Sequence, residues 1–379
     1  MARIKSSPED FYVKELADIE LGEEGRFAYF LLKKKGKTTH EALEEVARHL
    51  RVEPSRIRFG GLKDKEAVTE QYISVERPPV VKEIEGEELS LKFLGYSDEP
   101  MDIGRIEGNL FRVVVRGIGK RKLRYLRDRV DFVERFGFEN YFGEQRFGSV
   151  KNAEEFVAKL LLRGDYEGAL KTYLTSLKDK RRKRELLRSW GRWREFLKHM
   201  PQRSTPERRV VEELMKGKSY REAFESLPRS IKLMLLFTYQ SYLWNRYLNT
   251  FIVRYFKHCS VPFLRWRLSF ITEMDERVFE EIRELEIPFL GKKVKPKSKK
   301  VEVIMREVLA EEGITEEMLG RKIGNLKLFT DGLRRAFVHP RDMKVLKEGE
   351  DYVELSFILP PGSYATVLLR KLLCSPLEV

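Results

Sequence analysis

Apolar residues recur along this chain at two different spacings, and the spacing changes part-way through. The first 150 residues are mixed, with strand segments outnumbering helices. Segments 10–16, 27–34, 67–75, 89–95 and 109–117 carry strand character, the last with Val113 and Val115 alternating against Arg112, Val114 and Arg116. Two helices interrupt them. Thr38-x-x-Glu41 is a capping box ahead of Leu43, Val46, Ala47 and Leu50, which mark one helical face. The second is expected from about 120 to 136, with Leu123, Leu126, Val130 and Val133 on its apolar side. Strands outnumber helices here, and short connections favour antiparallel pairing over a doubly wound sheet.

From about 151 to 330 the period becomes helical. Residues 152–163 and 166–177 form an amphipathic pair broken at Gly164-Asp165, and 230–258 read as one long helix. Residues 351–359 alternate again before Pro360-Pro361-Gly362, and a helix is expected from near Ser363. A strand that returns after a helical block predicts that the two ends of the chain close one sheet. The fold class is therefore α+β, a mixed, largely antiparallel sheet with helices, interrupted by a mostly helical insertion.

Composition adds a partner. Lys and Arg number 74 against 60 acidic residues in 379, a net charge of +14, which points to a polyanion such as RNA or DNA. Basic runs at 178–184, 192–194 and 292–300 are candidates for phosphate contacts. The two cysteines, Cys259 and Cys374, suggest neither a disulfide framework nor a zinc cluster, and hence a reducing, cytoplasmic setting. The first residues lack the apolar run of a signal peptide, and the uncharged stretch 233–245 is too short to span a bilayer. Charged residues at 35% and only ten Asn plus Gln are what a thermophilic protein would show.

The chemistry concentrates at 60–71, Gly-Gly-Leu-Lys-Asp-Lys-Glu-Ala-Val-Thr-Glu-Gln. Asp64 stands between two lysines on a turn before a strand, a setting that holds a carboxylate rigid and ionised for nucleophilic or base chemistry. Gly60-Gly61 is not a phosphate-cradling loop, no dinucleotide fingerprint opens a helix, and the five histidines lack metal spacing. Two aromatic-polar clusters remain, Gly108 to Arg112 and Asn140 to Gly148. Phe or Tyr beside Asn and Arg can stack a base, read its edge and grip a phosphate.

Five segments together resemble the TruD family of tRNA pseudouridine synthases, in its archaeal branch. They are Lys5 to Glu15, Gly60 to Gln71, Gly104 to Phe111, Asn140 to Gly148, and Leu359 to Arg370. The resemblance implies a discontinuous catalytic domain (1–153 and 338–379) with the family's sheet, and an RNA-gripping insertion at 154–337. It implies Asp64 as the catalytic aspartate. Phe111 would pack against the target base with Asn109 as its polar neighbour, while Lys5, Phe11 and Glu15 line the cleft. Lys63, Asn140 and Arg146 complete the expected substrate-binding set. Lys5, Lys63 and Arg146 are alternative cations for Asp64. The implied substrate is a tRNA uridine, at position 13 of the D-arm, and nothing in the sequence demands more than a monomer.

Uridine isomerisation neither oxidises nor hydrolyses, so no cofactor or metal is called for. Two other readings use the same residues. One is a silent RNA-binding protein; the other is a glycosidase needing a second carboxylate, for which Glu66 and Glu144 are available.

Overall fold

The computed structural model describes residues 3–150, 153–202, 204–291 and 293–374. It divides into two compact units, Met1–Phe138 with Val338–Leu373, and Glu139–Phe337 with Cys374–Val379.

The first unit is built on one large sheet. Its strands are β1 (Arg3–Ile4), β2 (Phe11–Ala17), β3 (Phe27–Lys35), β4 (Ile57–Phe59), β5 (Val68–Glu76), β6 (Leu89–Ser97) and β7 (Ile106–Arg116), with Arg341–Glu348 and Tyr352–Leu359 from the other end of the chain. The order is Arg341–Glu348, Tyr352–Leu359, β7, β2, β5, β3, β6, with β1 against β7 and β4 against β5. Only the β2–β5 pair is parallel. Strand Tyr352–Leu359 pairs with β7 along its whole length, so both ends of the chain do share the sheet.

Helix α1 (Thr39–Leu50) starts where its capping box places it. The Thr38 side chain accepts from the Glu41 N–H, and Glu41 reaches back to the Thr38 N–H at 2.7 Å. Ala42, Leu43, Val46 and Leu50 of α1 pack on Ala28, Phe30 and Leu32 of β3 and Ile73 and Val75 of β5, which forms one core of this unit. Helix α2 (Lys120–Phe136) buries Leu123, Leu126, Val130 and Val133, as its periodicity requires.

The second unit is mostly helical. Its longest helix, Arg229–Tyr255, buries Tyr239, Trp244 and Tyr247. The expected helix at 152–163 is shorter, Val157–Leu162, and Asn152 lies outside the described residues, as does Lys292 of the third basic run. The long helix ends at Tyr255 and not at residue 258, because His258–Phe263 pairs with Trp266–Ile271 as a hairpin. This hairpin corrects the reading of the cysteines. Cys259 lies on its first strand and is bonded to Cys374, with the Cα atoms 6.0 Å apart. Two cysteines 115 residues apart give no sequence sign of proximity; the fold supplies it. Among the described residues no helix is long and apolar enough to cross a membrane.

Candidate active site

Asp64 lies on the irregular loop between β4 and β5, and side chains beneath hold that loop by its backbone. The Gln71 amide donates to the Gly61 carbonyl at 3.2 Å, and the Lys63 N–H donates to the Thr39 hydroxyl at 2.9 Å. Lys34 donates to the Asp64 carbonyl at 2.7 Å. Buried backbone groups must be paired, and here three core-side residues do it. Gly60 packs closely on Ile106: a Cβ there would fall 2.3 Å from the Ile106 Cδ1, so a larger residue requires that side chain to move.

The carboxylate meets its cation from the N-terminus. Lys5 Nζ pairs with Asp64 Oδ2, and both side chains are largely buried. The same ammonium lies 4.3 Å from the centre of the Phe11 ring. Lys5 has a left-handed backbone (φ 62°), an uncommon conformation for a residue with a side chain and one that collects at functional sites. The Glu66 N–H donates to Asp64 Oδ1 at 3.1 Å, while the Glu66 side chain is exposed. Of the expected cations, Lys5 pairs with Asp64.

Lys63 has other partners. Strand register sets Glu15 of β2 opposite Asn109 of β7. Lys63 reaches both, at 2.5 Å from Glu15 Oε2 and 2.8 Å from Asn109 Oδ1. Glu15 is fully buried and also accepts from the Tyr72 N–H at 3.1 Å. A buried carboxylate needs such company. The aromatic side of the site follows from the same register, which aligns Val13, Phe111 and Phe357 across three strands. Phe111 stacks on Phe357 at 5.5 Å between ring centres and meets the edge of Phe11 at 6.0 Å.

Asn140 and Arg146 belong to the second unit. Asn140 is buried, accepts from Arg334 at 2.7 Å and donates to the Arg335 carbonyl at 3.1 Å. Arg146 is exposed and donates to the Ser241 hydroxyl at 3.1 Å. Its guanidinium lies 5.5 Å from the centre of the Phe142 ring.

Sequence reasoning missed Lys34, Thr39 and the Asp10–Arg116 pair. Lys34 did leave a signal, because it falls on the core-facing parity of β3 with Ala28, Phe30 and Leu32. Among the described residues, no three His, Cys, Asp or Glu side chains stand together as a metal would need.

The family model described as TruD, tRNA pseudouridine synthase D, matches residues 1–372. The chain is 53% identical over 381 residues to the tRNA pseudouridine synthase D of Aquifex aeolicus, covering 99% of each. It is 29% identical to the probable tRNA pseudouridine synthase D 2 of Methanocaldococcus jannaschii, covering 97% of this chain and 91% of that one. It also superposes on the crystal structure of a putative tRNA pseudouridine synthase D from Methanosarcina mazei. The TM-score is 0.73 at 26% identity, with 100% of this chain and 95% of that one covered.

Proposed function

This chain belongs to the TruD family of tRNA pseudouridine synthases, and we propose that it isomerises uridine to pseudouridine in tRNA with Asp64 as the reacting carboxylate. The observation that carries the assignment is the Lys5–Asp64 ion pair set beside the ring of Phe11. An ammonium in contact keeps a carboxylate ionised when RNA covers the site and excludes water.

The reaction breaks the C1′–N1 bond, turns the uracil, joins C1′ to C5, and moves a proton from C5 to N1. Asp64 either attacks C1′ or takes the C2′ proton to leave a glycal. The target base must first leave its stack. Phe111, backed by Phe357, provides the aromatic floor for it, and Asn109, held by Lys63, offers polar contact to its edge. Glu15 keeps Lys63 in place from below. The substrate position is uridine 13 of the D-arm. The isomerisation is redox-neutral and needs no cofactor or metal.

The catalytic domain comprises 1–153 and 338–379, of which 139–153 packs with the second unit, and 154–337 is the insertion that grips RNA. Arg146 and the basic runs of the second unit meet phosphates. Helix Lys180–Arg188 is the strongest candidate, since Lys180, Arg181, Arg184 and Arg188 are exposed along it. The protein works as a cytoplasmic monomer. A disulfide in that compartment suits a thermophilic source, where intracellular disulfides occur. The archaeal branch has less support than the family. The bacterial Aquifex relative is 53% identical, against 32% for that of the archaeon Pyrococcus abyssi.

The test is incubation of an unmodified tRNA transcript with the protein and with Asp64→Ala, mapping pseudouridine by its carbodiimide adduct. Product at one D-arm uridine with the wild type, and none with a variant that still binds tRNA, is the expected result. Product formed by Asp64→Ala would remove the assignment.

A further inference from the structure

Lys34 is a fully buried lysine on the core-facing side of β3. It shares that face with Ala28, Phe30 and Leu32, beside helix α1. Opposite it across β3–β5 and β3–β6 are Thr69 and Leu89. Its Nζ donates to the Lys37 carbonyl at 2.8 Å and to the Asp64 carbonyl at 2.7 Å. An ammonium is costly in such a place, and an apolar side chain of the same length would complete the cluster at less cost. Its charge is therefore the feature that requires a reason.

We propose that Lys34 is a positioning residue for the isomerisation, anchoring the main chain of Asp64 and supplying from below a fixed positive charge that favours the ionised carboxylate. The inference rests on Asp64 being the reacting group.

The charged groups acting on Lys34 are Asp64 and Lys63 of the loop and Glu41 of α1. Burial draws the Lys34 ammonium down from 10.5 to about 8; Asp64 and Glu41 oppose this, and Lys63 adds to it. A neutral amine still has two N–H groups, enough for both carbonyls, so deprotonation removes the charge and leaves the loop tied. Activity should then fall as pH rises through about 8. Stability moves the other way. The folded value lies below the unfolded 10.5, so the unfolded chain binds more protons between about 8 and 10.5, and this group's contribution to stability rises with pH there. A lysine that only filled space would not set activity and stability moving in opposite directions.

The experiment is single-turnover isomerisation of a tRNA transcript from about pH 6.5 to about pH 9.5, with thermal melts over the same range. It compares wild type, Lys34→Met, Lys34→Arg and Asp64→Ala. Wild type should lose rate above about pH 8. Lys34→Met should be about tenfold slower, with KM within about twofold of wild type and no alkaline fall. Lys34→Arg should recover rate without the fall, because a guanidinium stays charged. A folded Lys34→Met with the wild-type rate and pH profile overturns the proposal. An alkaline fall that survives in Lys34→Arg belongs to another group, the uridine included, and overturns it too. Should Lys34→Met not fold, the wild type decides: a rate flat to about pH 9 rejects the proposal, and a fall near 8 supports it. Asp64→Ala separates the two claims. Its retained activity would defeat the Asp64 assignment, whereas an inactive Asp64→Ala beside a fully active Lys34→Met defeats only this inference.

Discussion

The Asp10 carboxylate accepts a forked pair of hydrogen bonds from the Arg116 guanidinium, at 2.7 Å from Nη2 to Oδ1 and 3.0 Å from Nε to Oδ2. The pair ties the residue before β2 to the last residue of β7, and so holds Phe11 beside Phe111. The Arg116 bonds keep the Asp10 carboxyl below its ordinary 3.8, outweighing the opposing effect of burial. A carboxylate with a depressed folded pKa contributes stability that is present above the unfolded value and lost as pH falls through the folded one. Asp10→Asn should cost about 1–2 kcal/mol at neutral pH. The difference from wild type should shrink as pH falls below 3.8. Urea titrations of both proteins across that range measure it; a constant difference would contradict the linkage.

Lys5 contacts the Asp64 carboxylate directly, so its removal should affect chemistry more than tRNA binding. Lys5→Met should lower kcat about a hundredfold with little change in KM, and Lys5→Arg should restore part of the rate. A loss confined to KM would mean that Lys5 binds phosphate and does not support Asp64.

Lys63 is the cation of buried Glu15. Removing it strands a charge in the core, and Lys63→Met should destabilise the protein by about 3–5 kcal/mol. Glu15→Gln in the same chain should recover much of that stability, because the stranded charge is gone. Equal melting temperatures for the single and double variants would show that the pair is not coupled.

On the basic face of the second unit, charge reversal at Lys178, Arg181 and Arg182 should weaken tRNA binding and flatten its salt dependence. Arg182 also donates to the His199 carbonyl at 2.6 Å, so reversal there should lower stability as well. Lys178 and Arg181 are exposed and separate the two effects. Unchanged affinity at several salt concentrations would place the RNA elsewhere.

Reduction of Cys259–Cys374, or Cys259→Ser, should lower stability by up to about 5 kcal/mol, since the bond closes a loop of 115 residues. Thermal melts with and without reductant check this, and the serine variant should be indifferent to reductant.

Features set by neighbouring residues were legible in the chain. The Thr38–Glu41 capping box needs three residues of context, and it starts α1 where it was expected. The alternation of Val113 and Val115 with Arg112 and Arg116 in β7 reports which side of that strand is buried, because side chains alternate across a sheet. Asp64 between two lysines reads by itself as an ordinary surface turn, and it was singled out only by the resemblance of five segments together. Its partner among the cations was not legible. Lys5 lies 59 residues away and could not be ranked above Lys63 or Arg146 until β1 paired with β7. Parity placed Lys34 on the core side of β3, but the carbonyls it holds belong to a loop whose path no local rule predicts. The same limit hid the disulfide between Cys259 and Cys374. Local structure follows from interactions within a few residues, which recur wherever the pattern does. An ion pair or a bond between distant residues exists only once the sheet register and the packing of helices have brought them together.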